Sequence, residues 1–304
     1  MSDTSLQIDS HDIEISNPDK VLFPDAGLTK RDLIDYYLRI AKVALKHYRD
    51  RPLSMHRYPD GIKGDDFFQK HAPDYFPDWI ERARLAKQDG EVDYVLANNS
   101  ATLVYLADQA CITPHLALAR IDHPHHPDRM IFDLDPSDDD FSKVQQTAIS
   151  LKNLLEDLRL PVFVQTSGSR GLHLVVPLDR KEDFDSVRAF SDRLTRHLAN
   201  RNPELMTVEK RKDQRGDKIY LDVQRNAYGQ TAVAPYAVRA RSGAPIATPL
   251  RLSELGASDL GPRKYHVGNL FRRLAQIEDP WADMARHACS LKDARERFND
   301  LDST

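Results

Sequence analysis

Cysteine is almost absent: Cys111 and Cys289 are the two in 304 residues. No Cys-x-x-Cys spacing occurs, which excludes a cysteine zinc site and a disulfide framework, so reduced thiols in the core are expected. No stretch approaches the ~20 apolar residues of a membrane span. The amino terminus lacks the basic-then-apolar order of a secretion signal, so a cytoplasmic protein is expected. No Gly/Ser-rich or Pro-rich linker interrupts the chain, which reads as one domain over 12–298 with flexible ends at 1–11 and 299–304. The net charge of −4 gives no overall attraction to nucleic acid, although segregated charges still permit it.

What is present is more telling. Residues 131–136 read Ile-Phe-Asp-Leu-Asp-Pro. Successive strand side chains point to opposite faces, so Ile131, Asp133 and Asp135 share one face and Phe132 and Leu134 the other. Two carboxylates side by side repel and lose hydration, a cost that a divalent cation offsets, and such oxygen donors suit Mg²⁺ or Mn²⁺. Alone, Asp-x-Asp is short and common, and a solvated strand end stopped by Pro136 explains it better.

Two downstream segments change that balance. Residues 162–178 read as strand, polar turn (Ser-Gly-Ser-Arg-Gly) and strand. The glycines let a ligand approach the main chain, and Ser167, Ser169 and neighbouring N–H groups offer an anion-binding concavity. Arg170 adds a charge, and His173 interrupts an otherwise apolar strand. Such donors suit a triphosphate; an ordinary Gly-rich hairpin is the alternative. Residues 218–226, Lys-Ile-Tyr-Leu-Asp-Val-Gln-Arg-Asn, alternate as a half-buried strand and add a third carboxylate, Asp222, with Arg225 just beyond. Three strand-borne aspartates and a phosphate cradle match two-metal nucleotidyl transfer, in which one ion activates a 3′-hydroxyl and the other steadies the triphosphate.

The remaining pattern is mixed α/β. Thr29 caps a helix through about residue 48, with Leu33, Tyr36, Tyr37, Ile40 and Ala44 on its apolar face and Asp32 at the capping-box position. Further helices are expected near 100–106, 141–158, 184–199 and 267–276. Strands at 53–58, 130–135, 162–166, 172–177 and 219–223 are expected to share one central sheet, antiparallel or mixed because of the hairpin. A basic stretch at 210–218, containing Arg215, reads as a mobile loop where a DNA backbone passes. The cluster His123-Pro124-His125-His126 reads as a turn, since no ligand pair has metal spacing.

In this order the three motifs resemble those of the archaeo-eukaryotic primase superfamily. More narrowly, they resemble the polymerase domain of bacterial ligase D, an end-joining repair polymerase. Supporting segments lie at 17–24 (Asn-Pro-Asp-Lys-Val-Leu-Phe-Pro), 57–61 (Arg-Tyr-Pro-Asp-Gly), 67–70 (Phe-Phe-Gln-Lys) and 231–236 (Thr-Ala-Val-Ala-Pro-Tyr). The resemblance implies a primase-type fold: an RNA-recognition-motif-like catalytic core packed with a second small α/β unit. It implies that Asp133, Asp135 and Asp222 hold two Mn²⁺ or Mg²⁺ ions. It implies that His115, Ser167, Ser169, Arg170, His173, Arg225 and Arg239 bind the nucleotide. Lys20, Lys30, Arg57, Phe67, Phe68, Lys70 and Arg215 would contact DNA. Phe67 and Phe68 would stack on a template base, and Lys20, Lys30 and Arg57 would meet a downstream 5′-phosphate. The start of the Thr29-capped helix would offer its N–H groups to that phosphate.

The implied function is template-directed nucleotide addition, with ribonucleotides favoured over dNTPs, at DNA gaps and broken ends in a cytoplasmic, nucleoid-associated repair complex. Ku and a DNA ligase, in the same or a separate chain, are the implied partners. The initial Met and compact length suggest a stand-alone gene, although a piece of a longer protein would read the same. A de novo primase is the nearest alternative, and a non-catalytic DNA-end-binding module the next.

Overall fold

The computed structural model describes residues 4–87 and 90–302. The elements run β1 (Thr4–Ile8), β2 (His11–Ile15), β3 (Val21–Phe23), β4 (Leu28–Thr29), α1 (Lys30–Tyr48), β5 (Pro52–Arg57), β6 (Phe67–Gln69), β7 (Arg82–Lys87) and β8 (Gly90–Leu96). They continue with α2 (Ser100–Asp108), β9 (Cys111–Ala117), β10 (Arg129–Pro136), α3 (Phe141–Asp157), β11 (Phe163–Thr166), β12 (Leu172–Pro177) and α4 (Phe184–Arg201). Last come β13 (Met206–Thr207), β14 (Ile219–Asp222), β15 (Thr231–Val233), β16 (Pro249–Leu250), α5 (Leu270–Leu274) and α6 (Lys292–Asp302). The chain divides into two compact units, neither continuous in sequence: residues 1–122, 231–247 and 265–276, and residues 123–230, 248–264 and 277–304.

The first unit is built on a sheet of order β15-β9-β5-β8-β7, with β6 also pairing with β5. Helix α1 buries Leu33, Tyr36, Tyr37, Ile40 and Ala44, the stripe expected from the 3.6-residue period. Burying Leu33 or Ile40 contributes about 1.5–3 kcal/mol each. Two tyrosines on this face keep their polar ends satisfied: Tyr36 donates to the Tyr236 carbonyl and Tyr37 to the Ile112 carbonyl, both at 2.7 Å. The Thr29 cap forms as read, with a reciprocal Asp32 contact.

The second unit carries a sheet of order β13-β14-β10-β12-β11-β16. Every pairing in it is antiparallel except β13–β14. Helices α3 and α4 pack against β10. Helix α3 buries Val144, Ala148, Leu151 and Leu155, again at helical spacing.

Two expectations change. Strand β5 was expected beside the carboxylate strands, yet it pairs with β6, β8 and β9 in the first unit's sheet. Alternation tells which side chains face inward; it does not name the neighbouring strand, and here β6, β8 and β9, all close in sequence, supply it. Nor are residues 4–11 and 299–302 the loose ends expected. Residues Thr4–Ile8 pair with His11–Ile15 as a hairpin, and α6 continues to Asp302. Residues 1–3 and 303–304 lie outside the described residues.

Both cysteines are free thiols. Burial pushes Cys111 up to about 12 and Cys289 up to about 11. A raised thiol pKa favours the native state below the ordinary value of 9.0 and loses that contribution as pH climbs towards about 12. Native protein at pH 8 is therefore expected to leave Cys111 unlabelled by Ellman's reagent, and urea to expose it. Rapid native labelling of Cys111 would contradict this packing.

Candidate active site

Strand β10 lies between β12 and β14, and its registers place Asp133 directly opposite His173 on one side and Asp222 on the other. Asp135 stands two residues on, opposite Tyr220. The alternation read from sequence holds: Phe132 and Leu134 are fully buried, while Asp133 and Asp135 are half-buried. His173 Nε2 lies 3.3 Å from Asp133 Oδ1, and its Nδ1 lies 3.3 Å from Gln165 Nε2. Asp222 accepts the Gln224 N–H at 2.8 Å. Burial pushes the Asp222 carboxyl above the usual range; the charges of Asp133 and Asp135 add to this, and Arg225 opposes it.

The Ser-Gly-Ser-Arg-Gly turn is organised from within. Ser167 Oγ accepts the N–H groups of Ser169 and Gly171 at 3.2 and 3.0 Å. Gly168 takes a positive φ of 64°. Gly171 is required by close approach, because a Cβ there would lie 1.8 Å from the Leu134 carbonyl oxygen. Two N–H groups expected to face an anion are thus already bonded to Ser167. Arg170 is the exposed cation of the turn, donating to the Asp138 carbonyl at 2.8 Å. Beside it, a cavity of about 460 Å³ is lined by Pro136, Asp138, Arg170, Arg263 and Lys264, with Arg263 donating to the Ser169 carbonyl.

Arg215 departs from expectation. It is 7% exposed, not a mobile surface cation. Its guanidinium donates to Asp135 at 3.2 Å and to the Glu209 and Lys210 carbonyls, and lies 3.9 Å over the Tyr220 ring.

In the first unit, buried His115 lies on β9, and Arg239 follows β15. Phe67 and Phe68, on β6, are both strongly exposed, and Lys70 follows them, also exposed. Arg57 donates to Gln69, to the Tyr75 hydroxyl and to the Gln109 carbonyl. Lys20 is partly exposed and bonds Asp60 at 2.7 Å. Lys30 is buried: its ammonium lies 3.1 Å from Asp108 and 3.0 Å from Ser16 Oγ. The start of α1 is not the open anion site expected. Its first N–H groups already donate to the Lys20 carbonyl, the Pro18 carbonyl and Thr29 Oγ1.

Sequence reasoning missed Asn226. Beyond Asp222 the chain leaves the sheet, and the Asn226 amide replaces the missing strand. Its Oδ1 accepts the Ile131 N–H and its Nδ2 donates to the Ile131 carbonyl, both at 2.8 Å. A buried asparagine just past a strand end was the available signal. Among the described residues, no three His, Cys, Asp or Glu side chains converge as a ready metal cage. The donor set still fits hard divalent cations: three carboxylates on neighbouring strand positions, one of them disfavouring its own charge.

A mixed sheet with catalytic-type carboxylates on its central strands is an archaeo-eukaryotic primase-like fold with an RNA-recognition-motif-like core. Residues 29–281 match the family model described as LigD, primase-polymerase domain. The chain is 35% identical over 277 residues to the multifunctional non-homologous end joining protein LigD of Pseudomonas aeruginosa, covering 90% of this chain and 33% of that protein. It is 32% identical over 294 residues to the LigD of Mycolicibacterium smegmatis, covering 93% of this chain and 38% of that one. A solved structure, the polymerase domain from Mycobacterium tuberculosis ligase D in complex with DNA, matches with a TM-score of 0.85 and 31% identity, covering 91% of this chain and 99% of that chain. The chain spans about a third of the length of the curated relatives. It belongs to the LigD primase-polymerase domain family.

Opposite stability effects are expected at two neighbouring positions. Asn226→Leu strands the Ile131 N–H and carbonyl inside the protein and should cost about 2 kcal/mol or more. Asp222→Asn relieves repulsion and should raise the melting temperature in chelator by about 2 °C. Calorimetry of both variants without divalent cations reads this directly; a drop for Asp222→Asn would deny the repulsion.

Proposed function

We propose that this chain is a template-directed nucleotidyltransferase that fills gaps and extends DNA ends during double-strand-break repair by end joining. The observation that carries the reading is the placement of Asp133 directly between His173 and Asp222 on three adjacent strands. Asp133, Asp135 and Asp222 would hold two Mn²⁺ or Mg²⁺ ions, which when bound supply activation of a 3′-hydroxyl and charge neutralisation on the triphosphate. The remaining roles belong to the chain's own side chains. Gln165 holds Nδ1 of the His173 ring, so Nε2–H, which faces Asp133 at 3.3 Å, is the group that would meet a phosphate oxygen of the nucleotide. Arg170 adds a charge-assisted contact of the stronger kind, with Ser167 keeping its turn in shape. Ser169, Arg225, His115 and Arg239 complete the nucleotide-binding set, and ribonucleotides are preferred.

Phe67 and Phe68 would stack on template bases, which need no particular sequence for this contact. Lys20, Arg57 and Lys70 would meet DNA phosphates. The single domain over 12–298 would act in the cytoplasm at the nucleoid, with Ku and a DNA ligase as partners. The same carboxylates would also serve de novo priming, so primer dependence separates the two readings.

Primer extension on gapped DNA with Mn²⁺, comparing NTPs with dNTPs, tests the reading. Asp133→Ala, Asp135→Ala or Asp222→Ala should each lower addition at least about a hundredfold, since lost transition-state stabilisation is worth several kcal/mol. Near wild-type extension by any of them would remove that residue from the site.

A second expectation concerns the downstream end. Gapped DNA with a 5′-phosphate should bind more tightly than its 5′-hydroxyl counterpart, by a margin that shrinks in Lys20→Ala and with rising salt. Lys30→Ala is expected to act differently: it leaves Asp108 buried without its cation and should destabilise the fold by about 3–5 kcal/mol. Fluorescence anisotropy beside thermal melts separates the two effects, and equal affinity for both ends at low salt would discard the phosphate preference.

A further inference from the structure

Strands β5 and β6 pair antiparallel with His56 directly opposite Phe68 and Arg57 opposite Phe67. Neighbouring strand residues face opposite sides, so these are two separate cross-strand pairs. The His56 and Phe68 rings stack, with centroids 3.9 Å apart and planes 18° from parallel. His115 meets the same Phe68 ring edge-on at 5.2 Å and 81°. Phe68 nonetheless remains 57% exposed, while the His56 side chain is 15% exposed. The layer therefore has a fixed inner ring and an open outer one.

His56 is held at both ring nitrogens. Nε2 is hydrogen-bonded to Asp66 Oδ2, and Nδ1 faces the Tyr58 hydroxyl at 3.3 Å. Burial keeps the imidazole below its usual pKa, helped by Arg239 and Arg241 and opposed by Asp66. The His56 contact in turn holds Asp66 below the usual carboxylate range. A neutral ring donates Nε2–H to Asp66, while the Tyr58 hydroxyl, itself hydrogen-bonded to Asp66, stands against Nδ1. Contacts at both ring nitrogens hold the plane of the ring, and a ring stacked on it inherits that plane. A preorganised aromatic loses less entropy when a ligand stacks on it.

We propose that His56, clamped by Asp66 and Tyr58, is a positioning residue that holds the Phe68 ring flat so that its open face accepts a nucleobase of the DNA template. This rests on the polymerase reading above. Asp66 has no other role in that reading; it stands at the surface and its loss leaves the core intact.

The probe is gapped DNA with 2-aminopurine as the templating base, whose fluorescence is quenched by stacking. Wild-type protein is expected to quench it. His56→Ala and Asp66→Ala should lose at least half of that quench and raise the KM for the templated nucleotide about tenfold, within the range for one base–aromatic stack. Their kcat should change by less than about twofold and their melting temperatures little. His56→Phe, which restores a flat ring without the hydrogen bonds, should recover the quench, which a merely structural histidine would not allow. Unchanged quench and KM in both His56→Ala and Asp66→Ala, in a protein that extends primers, overturns the proposal and leaves the polymerase reading standing. Quench lost in the variants of a protein that adds no nucleotide upholds the positioning role and fells the polymerase reading.

Discussion

Carboxylates on adjacent strands repel one another, and a sheet keeps them there only if every other register is worse. Strand β10 meets that condition. It is paired on both sides, and a one-residue slip would turn Asp133 and Asp135 to the opposite face and bring Phe132 and Leu134 out of the core. Exposing those two side chains costs about 1.5–3 kcal/mol each. Repulsion between a pair of charges near a protein surface is about 1–4 kcal/mol. The core term is at least as large and is reinforced by two hydrogen-bonded ladders, so the apolar residues between the acids fix where the acids stand.

The same strand seats the phosphate-binding candidate. Gly171 lies so close to the Leu134 carbonyl that no side chain fits, and Ser167 ties the turn back on itself. Where β14 ends, Asn226 takes over the backbone bonding of Ile131 with a side-chain amide. Carboxylates, turn and third-motif residues are thus referred to one short stretch, 131–135. A disturbance of that stretch is expected to move all of them together, which is why residues that never touch a substrate, such as Asn226, belong to the account of the site.

Much of this was legible in the sequence, and the reason is periodicity. The period of two along 131–136 placed the acids on one face, and the period of 3.6 along 30–48 placed Leu33, Tyr36 and Tyr37 inward. Both are local properties. What depends on partners distant in sequence was not legible. Strand β5 has the same alternation whichever sheet it joins. Lys20 and Lys30 look equally available in sequence, yet Lys30 is taken by Asp108, 78 residues away. Arg215 read as a loop cation because nothing local reveals that Asp135 is its partner, 80 residues away. The His56–Asp66 clamp was missed for a related reason: its members are ten residues apart, and only the β5–β6 register brings them together.

The limits of the catalytic unit follow from its core. The family match ends at residue 281, where Trp281 donates its indole N–H to the Val164 carbonyl at 3.1 Å. Burial continues past that point. Phe298 on α6 is fully buried, edge-on to Phe190 of α4 with centroids 6.0 Å apart, and Arg295 reaches Glu182 and the Ser186 carbonyl. Leu291 and Ala294 are buried as well. Removing an aromatic from such a position costs about 3–5 kcal/mol, a large share of the 5–15 kcal/mol that typically holds a domain together. Helix α4 also carries Ser191, whose hydroxyl receives the Asn226 amide. The carboxy-terminal helix therefore supports the strand that bears the carboxylates through two packed layers, although no residue of it approaches them in sequence.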